Sequence, residues 1–237
     1  DVRQMQRVLR EVRLDLPQVR ARRWAPGGQG GPLDWARAMQ WAARHDGELV
    51  RLPHLKRRPQ ALPLLVLVDV SGSMALYARW LLAFLHQATR QVPRSVFAFG
   101  TALTDLNAAF RLTDTDAMLE AVNRSVTDFG SGTRLGDALD KVLTQHGRQL
   151  VGRRTVVLLI TDGLDTGEPA ALEAALRQLK RRTRCVLWLN PLLRFAGFTP
   201  TARGPEVLNR CVDGMLPIHN LNSLEDLAHA VAQVVQH

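Results

Sequence analysis

In the stretch DVSGSM, three oxygen-bearing side chains follow one another at intervals of two: Asp69, Ser71 and Ser73, with Gly72 between the serines. In an extended segment this spacing turns all three to one side, and the glycine lets the backbone turn closely between them. One carboxylate with two hydroxyls is a set of hard oxygen donors. It suits Mg²⁺ or Mn²⁺, with water completing the shell, better than it suits zinc or copper. The plain alternative is that Ser71 or Ser73 caps a helix starting near Ala75. Two more segments carry related chemistry. GSGTRLG places Thr133 behind Gly130 and Gly132 at the start of a helical pattern, and VVLLITDG places Asp162 at the end of an apolar run. Taken singly, Thr133 also reads as a helix N-cap, and Asp162 as a turn aspartate before Gly163.

The elements that must position these residues follow from the hydrophobic pattern. Strand-length apolar runs occur at 64–69, 95–99, 155–160, 185–189 and 215–218. Amphipathic stretches lie at 76–89, 115–122, 135–143, 169–182 and 224–235, the second and last opened by capping boxes at Thr113/Asp116 and Ser223/Asp226. Alternating strands and helices predict an α/β protein with a Rossmann-like, doubly wound, mostly parallel sheet. Such a sheet gathers its ligand at the carboxyl ends of its strands. The loops carrying Asp69, Thr133 and Asp162 are therefore expected to meet on one edge.

Residues 1–60 differ in character. They hold 13 Lys/Arg against 6 Asp/Glu, a net +7, whereas residues 61–237 hold 18 against 16, a net +2. Helical spacing over 1–16, a flexible break at 25–31, a second helix ending at Gly47 and a strand or hairpin arm in ELVRLP describe an N-terminal extension with too few apolar residues for its own core. The division is thus 1–60, basic extension, and 61–237, main domain. The clusters Arg20, Arg22, Arg23 and Lys56, Arg57, Arg58 have little aromatic interleaving, so nucleic acid is not the expected partner, and a solvated or intramolecular basic face is. Segment 190–214, long for a connection between strands, reads as a lid or an interaction loop.

The sequence argues against several function classes, and a metal-assisted hydrolase stays as an alternative. No apolar run approaches the length of a membrane-spanning helix, and no charged-apolar-small leader is present, so a soluble protein is expected. Cys185 and Cys211 form no CxxC pair and no zinc site, which fits a reducing cytoplasm. There is no GxxxxGK[ST], and Gly130, Gly132 and Gly136 lack GxGxxG spacing, which argues against nucleotide chemistry. Neither serine sits in GxSxG, and His219 is the one histidine near an expected sheet edge. A metal-assisted hydrolase would need more carboxylates than Asp69 and Asp162 supply.

Taken together, Asp69, Ser71, Ser73, Thr133 and Asp162 resemble the metal-ion-dependent adhesion site of von Willebrand factor A domains over about 63–236. More narrowly, DVSGSM, GSGTRLGDAL, LLITDGLDTG, LWLNPLL and LPIHNLNSLEDLA are similar to the CoxE-like branch. The resemblance implies the von Willebrand factor A fold, Mg²⁺ (or Mn²⁺/Ca²⁺) held by those five residues, and binding without catalysis. It further implies a MoxR-type AAA+ ATPase partner and a client metalloenzyme, such as a carbon monoxide dehydrogenase-like enzyme, in the cytoplasm. An exported adhesion module is the alternative, which a signal peptide or anchor upstream of Asp1 would distinguish. Leu164 and Asp165 after Gly163 are a modest departure from the pattern.

Overall fold

The computed structural model describes residues 18–27, 30–49, 51–127, 129–191, 203–217 and 233. They fall into two compact units, 18–61 and the residues from 62 onward.

The larger unit is built on a six-stranded sheet. Its strands are β3 (Leu64–Asp69), β4 (Arg94–Phe99), β5 (Leu103–Asp105), β6 (Val156–Ile160), β7 (Cys185–Asn190) and β8 (Gly214–Pro217), in the order β5-β4-β3-β6-β7-β8. All neighbours pair in parallel except β4 and β5. A strand hydrogen-bonded on both sides and covered on both faces has no solvent face, which is why LLVLVD is buried throughout. In register, Leu67 stands beside Phe97 on one side and Leu159 on the other. These side chains, with Leu65, Val157, Val186 and Trp188, form one face of the core. Over that face lie α5 (Leu135–Lys141), α6 (Pro169–Arg182) and α7 (Arg203–Cys211), contributing Leu139, Leu172, Leu176, Leu179 and Leu208. On β3 packs α2 (Ala75–Ala88), burying Ala78, Leu81, Leu82 and Leu85, and against it packs α4 (Thr115–Ser125). The short α3 (Asn107–Phe110) follows β5. The expected doubly wound α/β sheet is therefore the observed one. Chain order reverses between β3 and β6, so the crevice at their carboxyl ends is the switch point where such sheets bind ligands.

The smaller unit holds an antiparallel ribbon of β1 (Gln18–Pro26) and β2 (Leu55–Ala61), with α1 (Trp35–Ala42) between them in sequence. Asp34 caps α1 by accepting from Arg37 N.

Where the structure departs from the sequence reading, local chemistry accounts for it. The arm expected in ELVRLP instead begins at Leu55, because 53–55 is first tied to 32–34 through Asp34 N to Pro53 O and Leu55 N to Pro32 O. The N-cap of α4 is Asp114, which accepts from Ala117 N at 2.9 Å, and not Thr113. The helix from Leu135 ends in a π turn at Val142–His146 followed by Gly147–Leu150. In segment 190–214, read as a lid or interaction loop, residues 203–211 form α7, within the crossover between the parallel strands β7 and β8, and residues 192–202 lie outside the described residues. Cys211 accordingly lies buried in a helix. The expected helix at 1–16, that at 224–235 apart from Gln233, and Ser223, Asp226 and His219 lie outside the described residues.

Candidate metal centre

The end of β3 places Asp69 at the switch point, fully buried. Its Oδ1 accepts from Ser71 N at 2.9 Å, which folds the chain back so that Ser71 and Ser73 stand together, with Oγ atoms 3.3 Å apart. Neither serine caps α2, whose first residue follows Met74 with no side-chain cap. The turn brings Gly72 against the neighbouring loop, where a Cβ would lie 3.2 Å from Gly130 O. Ser71 is buried and Ser73 exposed, so the group opens to solvent on the Ser73 side.

Thr133 is brought to the same place. Its hydroxyl donates to Asp69 Oδ2 across 3.4 Å, and the residue is buried. It is not the cap of α5; that role falls to Asp165, whose Oδ1 accepts from Leu135 N at 3.0 Å. Asp162 follows β6 and is fully buried. Its Oδ1 accepts from Leu164 N at 2.9 Å, so the turn reading of this residue holds for one oxygen. Its Oδ2 is buried and has no hydrogen-bond partner. Gly163 makes the turn possible at φ 84°, and an added Cβ would meet Trp188 and Pro205 tightly, at 3.1 Å each.

Residues to which the sequence reading gave no role complete the arrangement. Thr161 donates to Asp69 Oδ2 at 2.7 Å and accepts from Gly163 N, while its carbonyl is held by Trp188 Nε1. Asp165 pins the loop after β6 to the start of α5, and Thr166 donates to Thr133 O through both its N–H and its hydroxyl. The only sequence signal for them lay in their adjacency to Asp162.

Burial pushes the Asp69 carboxyl above its ordinary range, hydrogen bonds from Ser71 and Thr161 pull it back, and the nearby Asp162 raises it further. Two carboxylates are thus desolvated side by side with no cation between them in the chain itself. Among the described residues no three His, Cys, Asp or Glu side chains cluster, so a cation here would rest on two carboxylates and on hydroxyls. A hard divalent ion that keeps its waters fits that set.

A family model of VWA domain-containing CoxE-like proteins matches residues 5–224. No curated protein matches the chain. Among solved structures, a von Willebrand factor type A protein from Catenulispora acidiphila is 18% identical with a TM-score of 0.50, over 76% of this chain and 44% of that one. Proximal thread matrix protein 1 of the mussel byssus, solved with a zinc-occupied MIDAS motif, is 16% identical with a TM-score of 0.50, over 74% of this chain and 48% of that one. The chain therefore spans less than half the length of these structures, and at such identity the likeness shows the fold. The family match covers nearly the whole chain and agrees with the sheet order and with the loops at its switch point: the protein belongs to the CoxE-like family of von Willebrand factor A domain proteins.

Proposed function

We propose that this protein is a non-enzymatic adaptor that binds a divalent cation, Mg²⁺ (or Mn²⁺/Ca²⁺), at Asp69, Ser71, Ser73, Thr133 and Asp162. Through that cation it grips an acidic residue of a partner. The observation that carries this reading is the buried, unpartnered Oδ2 of Asp162 beside the desolvated Asp69. A buried carboxylate oxygen without a partner is strongly disfavoured unless a cation completes it. The metal occupying the MIDAS motif of the mussel protein supports the same reading.

When bound, the cation supplies an open position that prefers an anionic oxygen to a neutral one. The chain's own residues do the rest. Asp69 and Asp162 contribute charge, Ser71 and Thr133 contribute neutral oxygens from below, and Ser73 marks the open side where a partner carboxylate enters. Thr161 and Asp165 hold the loops in place. No described histidine or cysteine stands within this group to serve as base or nucleophile, so binding is the reading the chemistry supports, and turnover is not expected.

Family membership supports a MoxR-type AAA+ ATPase as partner and a metalloenzyme, such as a carbon monoxide dehydrogenase-like enzyme, as the client being matured. Two free, buried cysteines fit a cytoplasmic setting, and no helix among the described residues is long and apolar enough to cross a membrane.

Titration calorimetry with Mg²⁺ and Mn²⁺, on wild type and Asp69→Ala, tests the site; absence of binding in wild type overturns it. Pull-downs of the purified ATPase with and without EDTA test its use. Equal recovery under both conditions would remove the metal from that interface.

A further inference from the structure

Residues 18–61 hold nine Lys or Arg against three Asp or Glu. On the ribbon, Arg20, Arg22, Arg23, Lys56, Arg57 and Arg58 are all exposed. No ion pair among the described residues engages them; those present involve Arg134, Arg177, Lys180 and Arg210. Arg20 stands opposite Pro59, and Trp24 opposite Arg57, so these four share one face, while Lys56 and Arg58 take the other. The Arg57 guanidinium lies 4.8 Å from the centre of the Trp24 ring. A ribbon that covers a core alternates apolar and polar residues. Between Leu55 and Ala61, β2 reads Lys-Arg-Arg-Pro-Gln, with cations on both faces. Adjacent like charges weaken a two-stranded ribbon that is marginal to begin with, and an acidic surface laid against it would relieve that repulsion.

A second observation says what kind of surface. Helix α1 buries Ala38 and Ala42 and turns Trp35 and Met39, 60% and 61% exposed, outward on one i, i+4 stripe. That reverses the usual arrangement, in which the large apolar side chains face inward. With Trp24, Leu49 and Leu52, the unit holds five of the nine large apolar side chains that stand exposed among the described residues. Phosphates would answer the arginines, and bases could stack on Trp24, but a nucleic acid offers nothing to Met39, Leu49 or Leu52. A second copy of this chain would bring like charge.

We infer that residues 18–61 form a docking unit for a protein surface that is acidic and studded with apolar side chains. This contact is separate from the metal-dependent one and does not rest on it.

The full-length chain is titrated by fluorescence anisotropy against three labelled probes of equal net charge: a Glu/Leu peptide, a Glu/Gly peptide and an oligo(dT) strand. The Glu/Leu peptide binds tightest, oligo(dT) weakest, and EDTA changes neither. Replacing three cations by Arg22→Gln, Lys56→Gln and Arg58→Gln weakens both peptides about tenfold at low salt. Trp35→Ser with Met39→Ser weakens the Glu/Leu peptide alone. Arg148→Gln, Arg153→Gln and Arg181→Gln, three exposed cations of the other unit, leave binding unchanged. The inference falls if oligo(dT) binds tightest, if the second charge triple weakens binding as much as the first, or if EDTA abolishes binding. Should a variant shift the melting temperature, the order of the three probes on wild type, with and without EDTA, decides alone.

Discussion

Asp69 and Arg94 lie at opposite ends of the same pair of strands, β3 and β4; Asp69 is fully buried and Arg94 half-buried, and neither has an opposite charge beside it. Arg94 is finished. Its guanidinium donates to Leu85 O, His86 O, Thr89 Oγ1 and Phe110 O, and lies 5.1 Å from the Phe110 ring centre. Burial, with Arg90 nearby, lowers it to about 10, still far above neutrality, so it stays charged and closes the carbonyls at the end of α2. The aspartate end is not finished. Asp69 is surrounded by donors, but Asp162 keeps one buried oxygen with none. A satisfied buried charge holds a fold together; an unsatisfied one marks where something else is bound.

That contrast breaks if the two ends respond alike to loss of charge. The largest expected effect is at the finished end: Arg94→Ala strips donors from four acceptors and is expected to lower stability by about 3 kcal/mol, read from the urea midpoint. A loss under about 1 kcal/mol would mean that those hydrogen bonds are replaced by water and that the two ends do not differ.

At the other end the sign reverses. The folded-state Asp69 carboxyl is raised above its unfolded value of 3.8. Its contribution is therefore present below that value and lost as pH rises through the raised one. In metal-free protein at pH 7, Asp69→Asn should raise the melting temperature. In wild type, Mg²⁺ at a hundred times its Kd adds about 2.7 kcal/mol, and in Asp69→Asn it adds nothing. A metal-free variant less stable than wild type would show that the carboxylate is structural.

The two ends were unequally legible in the sequence. The regular spacing of Asp69, Ser71 and Ser73 and the all-apolar runs before Asp69 and Asp162 pointed to the sheet edge, because a parallel interior strand has one composition and one place to end. The role of Arg94 was invisible: its acceptors, contributed by residues 85–89 and 110, are mostly backbone carbonyls, which carry no sequence signature. The same holds for β1 and β2. Their basic residues, with little aromatic interleaving, were read as a solvated or intramolecular face, and the backbone pairing that defines the ribbon carries no sequence signature. Asp165 was seen only as a departure from a family pattern, since its work is to accept from Leu135 N in another loop, 30 residues away.

Asp165 sharpens the contrast at a smaller scale, for it carries both kinds of oxygen: Oδ1 accepts from Leu135 N and Gly167 N, and Oδ2 is buried without a partner. Asp165→Ala frees the start of α5 and should lower stability by about 1 kcal/mol. Because Thr133 sits directly ahead of that helix, Mg²⁺ affinity should fall in calorimetry with stoichiometry unchanged. Asp165→Asn, which retains an acceptor, should recover most of both. Full loss in the Asn variant would point to the charge rather than the cap.

The smallest expected effect sets the two ends against each other in one pH series. His86, fully buried near Arg94, is held by Leu112 O at 2.8 Å and Thr115 Oγ1 at 3.0 Å. Burial lowers its pKa below 6.5; Arg94 and Arg90 add to that, while the Leu112 carbonyl and Asp114 oppose it. A base whose folded value is depressed contributes stability above its unfolded value and loses it as pH falls. On acidification from pH 7, His86 therefore subtracts stability below 6.5, while Asp69, which takes up its proton above its unfolded value of 3.8, restores some. No single group tilts the curve by more than about 1.4 kcal/mol per pH unit, so wild type should show a shallow dependence. His86→Gln leaves Asp69 alone, and stability should rise as the pH falls through the raised Asp69 value toward 3.8. Asp69→Asn leaves His86 alone, and stability should fall as the pH drops below 6.5. Melting temperatures of the metal-free proteins, measured at half-unit steps, read both slopes. If both variants follow the wild-type curve, neither group titrates in the fold as its burial requires, and the electrostatic distinction between the two ends fails while their hydrogen-bond distinction stands.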